Sequence, residues 1–255
     1  MYLIDTHTHL FLPEFDNDRT DVIKRAIDKG VKKMFLPNVD KDTIAPMLEI
    51  SELFPENCYP MIGLHPTSVK EGYMTELKIV EQWLSKRKFY AIGETGIDLY
   101  WDKKYIKEQI DVFNKQIRLS LINQLPVIIH SRNSFDEIFS VLKKINNRNL
   151  KGIFHSFTGS YEQALRVIEL GFKIGIGGIV SFKNAGLDKV VEKIDLDHIV
   201  LETDSPYLAP VPKRGKRNES SYLLFTAAKI AEIKNISINK VADITTSNAR
   251  QVFNI

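Results

Sequence analysis

The chain has 255 residues, 44% hydrophobic and 26% charged, enough to bury a sizeable core in one soluble domain and too polar to span a membrane. Lys and Arg number 35 against 32 Asp and Glu, a formal charge of +3, which excludes wholesale polyanion binding and makes any nucleic-acid argument depend on where the cations sit. The single cysteine, Cys58, excludes an intramolecular disulfide and a cysteine-based zinc site, and its apolar neighbours read as inert core.

Met1-Tyr2-Leu3-Ile4 runs straight into Asp5, with no basic leader region and no long apolar stretch behind it, so a cytoplasmic enzyme without a membrane segment is expected. Short apolar, β-branched runs then recur as predicted strands: Leu3 to Asp5, Lys32 to Leu36, Tyr59 to Gly63, Tyr90 to Gly93, Val127 to His130, Gly152 to His155, Lys173 to Gly175 and Ile199 to Glu202. Their starts lie 21 to 37 residues apart, room for one crossover helix and two loops. The intervals read as helices. Val22, Ile23, Ala26 and Ile27 hold one face of the first, with Gly30 suited to end it. Ile106, Ile110, Phe113, Ile117 and Leu121 do so in the longest, and Ser134 with Glu137 and Ser160 with Gln163 spell capping boxes.

Eight alternations across residues 1–255, with no linker or compositional break, predict an α/β fold: a single-domain (β/α)8 TIM barrel. An open doubly wound sheet is the alternative, but it would usually carry a phosphate loop. After Gly175 and Gly177 the third glycine of a dinucleotide fingerprint falls on Val180, and Gly215-Lys216 is followed by Arg217. Gly175, Gly177 and Gly178 read instead as a strand end packed closely against backbone.

Barrel chemistry is built at the carboxyl ends of the strands. Here those ends carry Asp5-Thr6-His7-Thr8-His9, Gly63-Leu64-His65-Pro66, Gly93-Glu94-Thr95-Gly96, His130-Ser131-Arg132, His155-Ser156-Phe157 and Glu202-Thr203-Asp204-Ser205. Five of the six histidines fall in them; His198 sits at the opposite end of its strand and is expected to be structural. His7 and His9, two apart, can converge on one ion. Around a closed barrel the eighth strand neighbours the first, placing Asp204 beside them, while the fifth and sixth place His130 beside His155. An imidazole binds with one nitrogen, whereas Glu94 can offer an oxygen to each of two ions. The implied centre is binuclear: His7, His9, Asp204 and Glu94 around one metal, Glu94, His130 and His155 around the other. Satisfied polar groups of a barrel interior are the bland alternative.

These segments also resemble a family. Ile4-Asp5-Thr6-His7-Thr8-His9, Ile92-Gly93-Glu94-Thr95-Gly96-Ile97-Asp98, Pro126 to Arg132, His155-Ser156-Phe157-Thr158-Gly159-Ser160, Leu201 to Leu208 and Arg214-Gly215-Lys216-Arg217-Asn218 are similar, in order, to signatures of the TatD family of metal-dependent deoxyribonucleases. The resemblance implies a TIM-barrel hydrolase related to amidohydrolases, with metal ligands at His7, His9, Glu94, His130, His155 and Asp204, and DNA as substrate, with exonuclease action on single strands or ends. Ser156 and Leu99 depart from the family pattern without touching those ligands.

A metal pair implies hydrolysis. Asp204 is the candidate general base, and Glu94 is the other catalytic candidate. Arg132 could bind a phosphate oxygen, and His65, in neither half-site, is assigned to substrate contact. Lys213, Arg214, Lys216 and Arg217 put four cations in five residues near Asp204, and Arg214, Lys216 and Arg217 are expected to bind flanking phosphates. Tyr100, Trp101, Phe157 and Tyr207 could stack on bases. The expected cofactors are two divalent ions, Mg2+, Mn2+ or Zn2+. The expected partner is DNA, single-stranded or frayed at an end, with no membrane and no obligate protein. Two other classes stay open: an amidohydrolase-type C–N or ester hydrolase such as an aminoacyl-tRNA deacylase, and a metal-binding scaffold without activity. PHP-type phosphoesterases share the Asp-x-His-x-His start but usually use more histidines.

Overall fold

A computed structural model describes residues 1–255. Its strands are β1 (Leu3–Asp5), β2 (Val31–Pro37), β3 (Cys58–Met61), β4 (Ile92–Asp98), β5 (Val127–Arg132), β6 (Gly152–Phe154), β7 (Lys173–Ile176) and β8 (Ile199–Leu201). Between and after them run α1 (Arg19–Asp28), α2 (Lys41–Leu53), α3 (Tyr73–Lys86), α4 (Ile106–Asn123), α5 (Phe135–Ile145), α6 (Tyr161–Glu169), α7 (Leu187–Lys193), α8 (Leu223–Lys234) and α9 (Ile238–Phe253). All eight predicted strands are present. β4 and β5 run further than expected, because they pair through Asp98 and Arg132, whereas β3 stops at Met61. No helix is long and apolar enough to cross a membrane.

Neighbouring strands pair in parallel as β1-β2-β3 and as β4 through β8. The two runs meet at both seams. Ile62 bridges Ile92, with Ile62 N donating to Ala91 O (3.1 Å) and Gly93 N to Ile62 O (2.7 Å). Thr8 bridges Ser205, with Thr6 N donating to Leu201 O (3.0 Å), Asp204 N to His7 O (2.9 Å) and His9 N to Ser205 O (2.8 Å). The ring therefore closes as a (β/α)8 barrel, and closure leaves no sheet edge exposed.

Strand alternation sorts the core. Leu3, Met34, Leu36, Val127, Ile129, Phe154, Ile174, Ile199 and Leu201 pack outward under the helices. Ile4, Phe35, Tyr59, Met61, Ile128, Ile153 and Val200 fill the barrel's lower interior. α9 plugs that end: Phe253 stacks on Phe35 with centroids 3.6 Å apart. One residue pair higher, the same inward parity delivers His130, His155 and Glu202, so a polar layer sits directly on an apolar one.

Local signals are met unevenly. Gly30, at φ 92°, follows the end of α1 as expected. Ser160 and Gln163 form their capping box, and Asp40 with Thr43 forms another at α2. Ser134 does not cap α5, because its hydroxyl donates to Ile97 O (2.5 Å) under the end of β4. In α4, Phe113 and Ile117 are buried, but so are Gln109 and Gln116, which point inward to hold strand-end loops. Gln116 bonds both N and O of Leu64, and Gln109 bonds both N and O of Asp98.

The β1–β8 seam is braced by Asp5. Its Oδ1 accepts from Thr203 N (2.9 Å) and its Oδ2 from Thr203 Oγ1 (2.6 Å). Burial pushes the Asp5 carboxyl up to about 7, against the bonds from Thr203. The folded form thus binds this proton more tightly than the unfolded chain, and the group's contribution to stability falls as pH rises from 3.8 to about 7. Asp5→Ala orphans two donors and is expected to cost on the order of 3 kcal/mol in urea unfolding and to remove that pH slope. A loss below about 1 kcal/mol would show that the seam does not depend on Asp5.

Candidate metal centre

Glu94 is buried at the centre of the upper layer, and its two oxygens face different groups. Oε2 lies 3.0 Å from His7 Nε2 and 3.7 Å from His9 Nε2, and Asp204 Oδ1 lies 3.4 Å from His9 Nε2. Oε1 lies 2.8 Å from His130 Nδ1, 3.0 Å from His155 Nε2 and 3.2 Å from His65 Nε2. The six expected ligands are thus brought together around Glu94, with His7 and His9 on one oxygen and His130 and His155 on the other; the two sides also touch, since the His7 and His155 rings stack 3.6 Å apart and both have a nitrogen near Asp204. The placement of His65 differs: it is not apart from both half-sites but belongs to the Oε1 group. Its backbone N donates to Val39 O (2.9 Å), and its Nδ1 lies 2.6 Å from Thr67 Oγ1, which turns Nε2 inward.

Irregular backbone aims the donors that alternation alone would not. A register shift interrupts β4 between Ile92 and Thr95, the segment that holds Glu94, and another lies at the start of β1, between Leu3 and Ile4. Gly96, at φ 146°, lets β4 approach β5 where an added Cβ would collide with His130 O. Asp204 has φ 54°, a left-handed conformation that aspartate tolerates better than most residues.

A second set of carboxylates, which the spacing did not single out, holds the far sides of the rings. Asp98 Oδ2 lies 2.9 Å from His130 Nε2, and Pro37 O lies 3.2 Å from His9 Nδ1. Glu202 Oε1 accepts from Ser156 N and lies 3.2 Å from His155 Nδ1, but off the line a hydrogen bond needs. His155 Nδ1 and Glu202 Oε2 are left without a bonding partner, as is His7 Nδ1 elsewhere in the centre. Gly175 makes room for Glu202, since a Cβ there would meet Oε2. Strand parity was the available signal for Glu202, two residues beyond inward Val200; Asp98 was hidden because β4 extends past Gly93.

Burial pushes the Glu94 carboxyl up, but the imidazoles of His155, His65 and His7 outweigh it and hold the group well below the usual carboxylate range. Burial likewise opposes a proton on His155, yet Glu94 and Glu202 on its two sides hold its pKa well above the ordinary value. A cation and that proton compete for the same nitrogen, so metal uptake releases protons. The donor set fits divalent metal. Three ring nitrogens crowd Oε1, which has two lone pairs, and His7 and His9 aim Nε2 atoms 3.2 Å apart at the same space. Nitrogen and carboxylate donors of this kind suit first-row and hard divalent ions.

The centre floors a cleft of about 1270 Å3. Arg132 lies exposed at its mouth, with Tyr100, Trp101 and Tyr207. Phe157 is no part of the surface: it is buried against Phe135, with centroids 5.5 Å apart. The basic run is also placed differently. Arg217 bonds both oxygens of Asp18 (2.9 and 2.7 Å) and Glu14 O, so its guanidinium is engaged within the fold. Arg214 lies over the Phe182 ring and Lys213 over Tyr222. Neither they nor Lys216 line the cleft.

A (β/α)8 barrel with this donor set defines the class: a metal-dependent hydrolase. The chain belongs to the family described as TatD related DNase, whose pattern matches residues 4–254. It is 39% identical over 254 residues to YabD of Bacillus subtilis, an uncharacterized metal-dependent hydrolase, with 99% of each chain covered. The crystal structure of YjjV, a TatD homolog from Escherichia coli, superposes with a TM-score of 0.93 at 30% identity, covering 99% of this chain and 98% of that one. A TatD family hydrolase from Entamoeba histolytica shares the fold at a TM-score of 0.85 and 23% identity, covering 99% of this chain and 98% of that one.

Glu94→Gln replaces two anionic oxygens by one neutral oxygen and an amide donor. Calorimetric titration of the metal-free protein is expected to show affinity falling at least roughly tenfold at both half-sites, with loss of the thermal stabilisation that metal confers. Wild-type stoichiometry and affinity in the variant would remove Glu94 from the bridging position.

Proposed function

We propose that the chain hydrolyses phosphodiester bonds of DNA, drawing a single-stranded or frayed end into the cleft. The observation that carries this reading is the pairing of a seven-donor floor with one exposed guanidinium, Arg132, at the mouth of the same cleft. A barrel mouth admits an unpaired end more readily than an intact duplex.

Two divalent cations, when bound, supply Lewis acidity toward a phosphoryl oxygen and make water a stronger acid. Glu94, His7, His9 and Asp204 would hold one of them, and Glu94, His130 and His155, with His65 alongside, the other. Asp204 borders the cleft with its side chain 15% exposed, against 3% for Glu94, so it is the carboxylate a water can reach and the group to take its proton. Arg132 donates to a non-bridging phosphate oxygen, fixing the ester over the floor.

Asp204→Asn is expected to lower kcat by roughly 100- to 10,000-fold while cation uptake by the His130 side persists. Wild-type turnover in that variant would overturn the general-base role. Arg132→Ala is expected to raise KM for single-stranded DNA and to flatten the plot of log affinity against log salt by about 0.7, one phosphate contact. Lys216→Ala, outside the cleft, should leave that slope unchanged. The parallel assay is decisive for substrate class: cleavage of aminoacyl-tRNA esters without cleavage of single-stranded DNA, duplex DNA or RNA would replace this reading with that of an ester hydrolase.

A further inference from the structure

We propose that Trp101, with Tyr100 set edge-on against it and Arg132 laid over the Tyr100 ring, forms a stacking platform for one unpaired nucleobase next to the scissile phosphate; the proposal rests on the phosphodiester reading above. Trp101 is 71% exposed and Tyr100 53% exposed, on adjacent residues where β4 ends. Their rings meet edge to face, with centroids 4.9 Å apart and planes at 88°. The Arg132 guanidinium lies 3.8 Å from the Tyr100 centroid and 5.4 Å from that of Trp101. All three residues line the cleft above the metal-binding floor.

Two further observations point to the occupant. The backbone that carries the platform is tied to the metal centre: Tyr100 N donates to Asp98 Oδ1 (3.0 Å), Asp98 Oδ2 holds His130 Nε2 (2.9 Å), and Gln109 clamps the Asp98 backbone. One carboxylate therefore links the root of the platform to a ring beside the reacting ester. The cation that touches the rings is Arg132; Lys103 and Lys104 follow in the same loop but do not line the cleft, Lys104 lies over the Tyr105 ring, and Asp102 stands between them and Trp101. An exposed indole face beside a guanidinium matches a base and its neighbouring phosphate along a single strand. An aliphatic chain would gain nothing from the guanidinium, and a duplex keeps its base faces stacked inside. The platform thus selects unpaired ends, and it does so by the shape of the base rather than by its hydrogen-bonding edge.

The chain has two tryptophans, so Trp83→Phe leaves Trp101 as the only indole. In metal-free Trp83→Phe protein, where no cleavage competes, titration with oligothymidylate should quench Trp101 fluorescence to saturation. In metal-loaded enzyme, Trp101→Ala should raise KM for a single-stranded oligonucleotide roughly 5- to 100-fold, the worth of one stacked base. Its kcat should stay within about twofold, and Trp101→Phe should recover most of the KM. An oligonucleotide abasic at its terminal positions should not distinguish wild type from Trp101→Ala. If DNA is hydrolysed but quenching is absent and KM is unchanged in Trp101→Ala, the platform is wrong and the phosphodiester reading survives. If quenching saturates but no DNA is cleaved, the platform stands and the phosphodiester reading falls. Equal losses on base-bearing and abasic substrates would make Trp101 a structural prop and overturn the proposal.

Discussion

Glu94 is a carboxylate buried among other titratable groups, and the demand to compensate it organises the top of the barrel. An unpaired buried charge is prohibitive, so the group must be ringed by donors or cations. Five imidazoles meet it: His7 and His9 on Oε2, His65, His130 and His155 on Oε1. Neutral rings solvate a carboxylate only in part, and five rings around two oxygens crowd their nitrogens together, as at His7 Nε2 and His9 Nε2, 3.2 Å apart. Divalent cations resolve both excesses at once. The apolar layer beneath, Ile128, Ile153 and Val200, keeps water from approaching from below, so compensation has to come from the cleft side.

The same constraint explains the outer carboxylates. A ring that gives one nitrogen to a metal must have its other nitrogen fixed, or it rotates away. Asp98 does this for His130 and Pro37 O for His9, while Glu202 stands behind His155. These partners lie on three different strands or strand ends, and the barrel has to close before they coincide. Asp5, at the β1–β8 seam, is therefore upstream of the site: Thr203, which it binds, immediately precedes Asp204.

Much of this was legible in the sequence. Eight apolar runs at regular spacing specify the barrel because each strand needs one crossover helix, and the histidines at their carboxyl ends mark the active face. His130 and His155 follow by simple parity from Ile128 and Ile153. What spacing could not show was direction at the irregular strands. The register shift in β4 decides where Glu94 points, and the extension of β4 to Asp98 creates the contact with His130. The turn that brings His65 onto Glu94 depends on Val39 from another repeat. Gln109 and Gln116 interrupt an apolar helix face, a pattern that marks buried polar clamps once the loops they hold are known.

The basic run after β8 shows why linear charge density is a weak guide to a binding surface. Four cations in five residues exceed the chain's net charge, yet a run of neighbours cannot all face one cleft, and these turn to whatever their own fold offers. Arg217 finds the Asp18 carboxylate, Arg214 the Phe182 ring and Lys213 the Tyr222 ring. Arg132 is solitary in the sequence, but it lies two residues beyond His130 at the end of a strand whose direction the barrel fixes. Strand position therefore outranks charge clustering as a pointer to the residues that line the cleft, because a strand end has only one cleft to face, whereas an exposed loop has the whole surface.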